Sequence, residues 1–100
     1  LALVDYKSAN DDRRRELFEL QLRIYAAAGH AEGLDIRAAY LHELDAGCRT
    51  EVDVPSALLA QAREKASSLA LKVRSGDFTA RPSRSCCGAC EWTSVCRYAQ

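Results

Sequence analysis

The chain has 100 residues, 14 basic and 14 acidic side chains, a formal net charge of zero and 48% hydrophobic residues. These totals fit one globular domain or part of one, and a chain this long buries about 65% of its unfolded surface. They exclude a disordered or membrane-spanning chain, since no apolar run approaches the ~20 residues of a spanning helix; the balanced charge demands no polyanionic partner, although it can conceal a basic patch.

No secretory signal pattern is present. Five cysteines is an odd count, and four of them, Cys86, Cys87, Cys90 and Cys96, crowd the C-terminus. Such spacing reads as a metal or redox site rather than a disulfide framework, which places the chain in a reducing, cytoplasmic setting. The chain opens without Met on the apolar stretch "LALVDYK", and the expectation is a piece of a longer protein that starts inside a buried strand.

In chain order, residues 2–6 ("ALVDY") predict a short buried strand with Lys7 at its exit. "SANDD" is turn chemistry in which Asn10, Asp11 or Asp12 caps a helix. From Arg13 to about His30 the residues Leu17, Leu20, Ile24 and Ala28 recur at helical spacing, with Gly29 or Gly33 as the stop. Residues 35–44 alternate as a strand, Ile36, Ala38, Tyr40 and His42 on one side and Arg37, Ala39, Leu41 and Glu43 on the other. "DAG" (45–47) turns the chain into a second strand over 48–54, so the two form a hairpin. Pro55-Ser56 opens a second helix to about Arg74, with Leu58, Leu59, Ala62, Ala66, Leu69 and Val73 as its apolar stripe and Ser75-Gly76 as its end. Residues 77–85 read as a loop before the cysteines, and Trp92 and Tyr98 as packing residues of the tail. The domain division is a strand–helix–hairpin–helix core over 1–76 and a cysteine-rich tail over 77–100. His30 and His42 read as cap and surface residues, and Cys48 as a small core residue.

Three short patterns carry chemistry. Asp5 and Lys7 are two apart on a strand and share a face, while Tyr6 points the other way. Gln21 and Tyr25 are four apart on the helix and also share a face. Cys87, Cys90 and Cys96 form C-x2-C-x5-C, three of the four ligands that a tetrahedral site requires. Each has an ordinary alternative: a surface ion pair, a core tyrosine beside a solvated glutamine, or free thiols. Cys86 or Cys48 as a fourth ligand would give a zinc site instead.

The combination of "DYK", "QLRIY" and "CGACEWTSVC" in this order resembles the C-terminal part of a RecB-type nuclease of the PD-(D/E)XK superfamily, in its iron–sulfur form, over nearly the whole chain. The resemblance implies an α+β fold: a partial restriction-endonuclease-like core with a mixed β-sheet flanked by two long helices and a cysteine-rich tail. It implies a Mg2+- or Mn2+-dependent deoxyribonuclease, an exonuclease working in DNA repair and recombination with a helicase region of the same chain or a partner helicase subunit. Asp5 and the Tyr6 carbonyl would hold the metal, Lys7 would act on the attacking water, and Gln21 and Tyr25 would contact that water or the DNA. Arg13, Arg14 and Arg15, at the start of the helix, would bind phosphate or simply form a solvated face. Cys87, Cys90 and Cys96 would ligate a 4Fe–4S cluster that staples the tail. The second metal-binding carboxylate and the fourth cluster cysteine are expected upstream of residue 1. The competing readings are a CRISPR-adaptation-type nuclease, a non-catalytic DNA-binding domain and a zinc-binding interaction module.

Overall fold

The computed structural model describes residues 1–8 and 11–100. Strand β1 (Ala2–Lys7) is followed by one 3-10 turn, Asp12–Arg14, and helix α1 (Arg15–Ala31). Strands β2 (Ala38–Glu43) and β3 (Cys48–Val52), helix α2 (Ser56–Ser75) and the five-residue helix α3 (Arg84–Gly88) complete the order. The residues group into two compact units, 1–70 and 71–100, divided within α2. Among the described residues no helix is long and apolar enough to cross a membrane.

In the first unit the sheet is mixed and three-stranded, in the order β1-β2-β3. β1 runs parallel to β2, from Ala2 opposite Ala38 to Lys7 opposite Glu43, and β2 runs antiparallel to β3. The parallel pair requires a crossover, which α1 provides. The hairpin turns where expected: Gly47, at φ 65°, donates its N–H to the Glu43 carbonyl at 2.9 Å. The expected α+β core, a mixed sheet with two helices, is therefore present.

The caps are local. Asp11 accepts from the Arg13 N–H at 3.1 Å and starts the 3-10 turn; Asn10, the other candidate ahead of it, lies outside the described residues. Gly33, at φ 85°, ends α1, with Leu34 N–H bonded to the Gly29 carbonyl and Gly33 N–H to that of His30. That pair of bonds needs a left-handed residue, which glycine adopts without strain. His30 Nε2 bonds the Ile36 carbonyl at 2.8 Å and ties the helix end to the approach to β2.

The core differs from the expected stripes. On α1 the buried residues are Leu22, Ala26 and Ala27, while Leu17 is 62% exposed and Ala28 is exposed. Leu22 packs with Ala39, Leu41 and Val52 beneath Phe18 and Leu3, and Ala26 and Ala27 pack with Ile36 and Leu59 of α2. Apolar residues occur all around α1, so periodicity alone does not select a face. The small residues Ala26 and Ala27 mark the face that meets Ile36 and Leu59. On α2 only Leu59 and Ala62 are buried; Leu69 and Val73 are exposed. β1 is an edge strand with no fully buried residue, not the buried strand expected, because it pairs on one side only. Leu3, Ala39, Leu41 and Val52 share the helix-covered face of the sheet, and Tyr6 on the opposite face is 60% exposed.

In the second unit, Gly76 closes α2 with the same pair of C-terminal bonds, from Gly76 to Val73 and from Asp77 to Lys72. Asp77 accepts from the Thr79 N–H and hydroxyl, which holds its carboxyl below the usual range, helped by Lys72 and Arg81. Ser83 caps α3, so helix begins inside the stretch read as loop. Trp92 and Tyr98, expected to pack, are 70% and 49% exposed.

Leu22→Ala is expected to lower the unfolding free energy by about 2–5 kcal/mol, and Leu17→Ala by less than about 0.5 kcal/mol. Urea unfolding followed by circular dichroism measures both, and the reverse ranking would place the core on the other face of α1.

Candidate active site

Two elements bring the candidate residues together. In β1 the alternation that turns Leu3 into the core turns Asp5 and Lys7 to the same side, toward α1. In α1 the residues Phe18, Gln21 and Tyr25 are three and four apart and line one face. Lys7 Nζ lies 3.0 Å from Asp5 Oδ2, donates to Gln21 Oε1 at 3.1 Å and stands 4.5 Å from the centre of the Phe18 ring. Gln21 passes the chain on, its Nε2 donating to the Tyr25 hydroxyl at 2.7 Å. With both ends of the Gln21 amide engaged, its orientation is fixed. Asp5 and Lys7 side chains are 21% and 23% exposed, and Tyr25, at 45%, opens the chain of contacts to solvent.

Asp5 Oδ2 is a special atom in this arrangement. It is buried, and its contact among the described residues is the Lys7 ammonium, a charge pair at 3.0 Å. A carboxylate oxygen in that state has lone pairs to offer a cation. Tyr6 stands on the opposite face, edge-on to His42 with ring centres 5.5 Å apart. The Arg13 and Arg14 side chains, 80% and 63% exposed, reach 3.7 and 3.9 Å from the Asp11 carboxylate, and Arg15 lies 3.5 Å from Glu19. Exposed pairs of this kind contribute little to stability and exchange partners readily.

Two neighbours were not anticipated. Phe18 supplies the ring against Lys7, and its place three residues before Gln21 was a readable signal. Glu43 lies opposite Lys7 across the parallel pair, and the two line a small cleft with Arg15. Only the register places it there, and one sequence does not give register between strands 36 residues apart.

Residues 1–97 match the family model of the PD-(D/E)XK nuclease superfamily. The chain belongs to the PD-(D/E)XK nuclease superfamily. Among curated proteins nothing matches the chain at significance.

Divalent-metal chemistry in this PD-(D/E)XK nuclease domain finds a partial fit. The Asp5 carboxylate is a hard oxygen donor, the type that Mg2+ and Mn2+ prefer, and its Oδ2 is paired with Lys7. Among the described residues, however, no three His, Cys, Asp or Glu converge as a metal-binding group. The same holds for the tail. Cys87, Cys90 and Cys96 are free thiols that do not converge, so their arrangement does not by itself fit a cluster or a zinc ion. The Cys87–Cys90 turn is nonetheless ordered: the Thr93 hydroxyl bridges the Cys87 and Cys90 carbonyls.

Cys48 is exposed rather than a core residue, and its thiol donates to Glu43 Oε2 at 3.5 Å. The Glu43 carboxylate raises the thiol pKa, because a thiolate beside it would lose the hydrogen bond and face a like charge. A raised pKa leaves less thiolate at pH 8, and the thiolate is the nucleophile. Glu43→Gln is therefore expected to speed iodoacetamide alkylation of Cys48, read by peptide mass spectrometry, and to leave the tail cysteines unchanged. An unchanged Cys48 rate would mean that the contact does not hold the proton.

Proposed function

We propose that this chain is the C-terminal part of the catalytic core of a Mg2+- or Mn2+-dependent DNA nuclease of the RecB-like kind, acting with a helicase in DNA repair and recombination. The observation that carries the proposal is the placement of Lys7 between Asp5 on its own strand and Gln21 on α1, with Tyr25 continuing the chain of contacts. Four residues from two short motifs, 14 to 20 positions apart between motifs, meet in one polar run. A domain that had lost its chemistry would have little reason to keep a half-buried ammonium so arranged.

Asp5 and the Tyr6 carbonyl would hold the metal, together with a carboxylate that the resemblance places ahead of β1. When bound, the metal acidifies a water and neutralises charge on the scissile phosphate. Lys7 acts beside it. An ammonium has three N–H donors, and Gln21 takes one. With the Asp5 carboxylate also against the ammonium at 3.0 Å, a further donor stabilises the charge that develops on a phosphate oxygen, and because the group is already held, little reorganisation is needed as that charge forms. Gln21 is a positioning residue, since it acts through Lys7. Tyr25 offers its hydroxyl proton outward to a water or to the DNA backbone. Arg13, Arg14 and Arg15 exchange their exposed carboxylate partners for phosphates, as the start of a helix favours. For the tail we propose Cys87, Cys90 and Cys96 as ligands of a 4Fe–4S cluster with a fourth cysteine from outside these residues. Spacing and free thiols support this; the three have to draw together to do it, and no step of the hydrolysis passes through the cluster.

The test is cleavage of single-stranded DNA with Mg2+ or Mn2+ by the protein that carries this chain, prepared anaerobically. Asp5→Ala and Lys7→Ala are expected to lose at least about 100-fold of the rate, the scale for one transition-state donor. Tyr25→Phe is expected to lose about tenfold or less, the scale of one hydrogen bond. Iron content should be the same in all three. A Lys7→Ala protein that cuts at the wild-type rate would overturn the proposal. So would a wild type that holds zinc in place of iron and does not cut, which would make the domain a binding module.

A further inference from the structure

The second unit carries an uneven share of charge. Lys72, Arg74, Arg81, Arg84 and Arg97 stand there against only Asp77 and Glu91, a side-chain balance of +3, so that the first unit of this neutral chain carries −3. Among the described residues none of those five cations is in an ion pair. The same 30 residues expose large aromatic rings: Phe78 at 77%, Trp92 at 70% and Tyr98 at 49%. Rings this open are costly to leave in water unless something covers them.

The backbone beneath the rings is held. Trp92 lies in a run of turns closed by Thr93 N–H to the Cys90 carbonyl and Val95 N–H to the Trp92 carbonyl, with the Thr93 hydroxyl bridging to Cys87 and Cys90. Tyr98 carries a guanidinium on its face: Arg97 lies 4.9 Å from the ring centre and donates to the Tyr98 hydroxyl at 2.8 Å. Exposed aromatic rings and unpaired cations within one unit suit one kind of occupant. A polyanion satisfies the charge, and a polyanion with flat faces also covers the rings. Duplex DNA meets only the first requirement, since its bases are already stacked. A single strand meets both.

We propose that the second unit is a single-strand binding surface, in which Trp92 stacks on an unpaired base, Arg97 and Tyr98 form a second ledge, and Arg81 and Arg84 take phosphates. The proposal deepens the nuclease reading by naming the surface that takes the strand, and it rests on that reading for the choice of DNA over other polyanions. Stacking on a fixed tryptophan is tolerant of sequence, so the surface has no base preference to speak of. The acids of the unit do not oppose it: Asp77 is already bonded to Thr79, and Glu91 is a single charge.

Trp92 is the chain's sole tryptophan, so its fluorescence reports contact at this ring alone. The experiment is a titration with a 15-nucleotide oligo(dT) in EDTA, where no metal-dependent cutting occurs, beside the same length of duplex, an oligo(rU) and heparin. A saturable quench by oligo(dT) is expected, with little from duplex or heparin. Anisotropy of labelled oligo(dT) should show Trp92→Ala binding roughly 5- to 150-fold more weakly, the span of base–aromatic stacking, with Trp92→Phe restoring most of it. Arg81→Ala with Arg84→Ala should reduce the slope of log affinity against log salt by about 1.4 in magnitude. The titration is read in EDTA and needs no cutting, so binding here and catalysis at β1 stand or fall separately. No saturable quench, an equal quench by duplex or heparin, or unchanged binding by Trp92→Ala with an unchanged circular dichroism spectrum would overturn the proposal. Tighter binding of oligo(rU) than of oligo(dT) would overturn the choice of DNA.

Discussion

An ammonium group does not sit at an apolar helix–sheet seam without acceptors. Lys7 stands there, with the Phe18 ring 4.5 Å away, because Asp5 and Gln21 supply opposite charge and a carbonyl oxygen at 3.0 and 3.1 Å. That constraint organises the first unit. It requires β1 and α1 to pack with Asp5 and Lys7 facing Gln21. It requires the crossover from β1 through α1 to a parallel β2, and it requires α1 to turn its Phe18–Gln21–Tyr25 line toward the strand while Leu22 and Ala26 go into the core. One rotation of α1 satisfies both demands, since residues 18, 22 and 26 are one apolar line and 21 and 25 flank it.

The function follows from the same geometry. Asp5 shares its buried Oδ2 with the Lys7 ammonium at 3.0 Å, and Gln21 orients that ammonium from the helix. In the proposed reading the carboxylate would serve a cation and the ammonium would meet phosphate charge. The tail stands apart from this chemistry. Its rings are open and its charge is of the opposite sign to that of the first unit, the two features on which the proposed strand-binding surface rests.

Much of this was legible in the sequence because it rests on fixed periods. Side chains two apart on a strand, or four apart on a helix, share a face whatever surrounds them, so Asp5 with Lys7 and Gln21 with Tyr25 could be paired on paper. The hairpin turn at Gly47 and the helix stops at Gly33 and Gly76 were readable for a similar reason, since each needs a backbone conformation that glycine adopts freely. What depends on competition between surfaces was not legible. Leu17, Leu20, Ile24 and Ala28 made a valid stripe, but Leu22, Ala26 and Ala27 made another, and only contact with Ile36 and Leu59 selects between them. Glu43 reached the cleft by strand register, and Trp92 and Tyr98 are exposed. The motif spacing of Cys87, Cys90 and Cys96 gave their identity as a set without giving their convergence.

The central claim of the proposal is that the Asp5 carboxylate takes part in binding a divalent cation. The most direct measurement is paramagnetic broadening of the amide NMR signals of the 15N-labelled chain on addition of Mn2+. The account predicts that the signals of Asp5, Tyr6 and Lys7 broaden first and that Asp5→Asn abolishes this without disturbing the rest of the spectrum. Broadening that begins at other carboxylates, or that persists at β1 in Asp5→Asn, would contradict it.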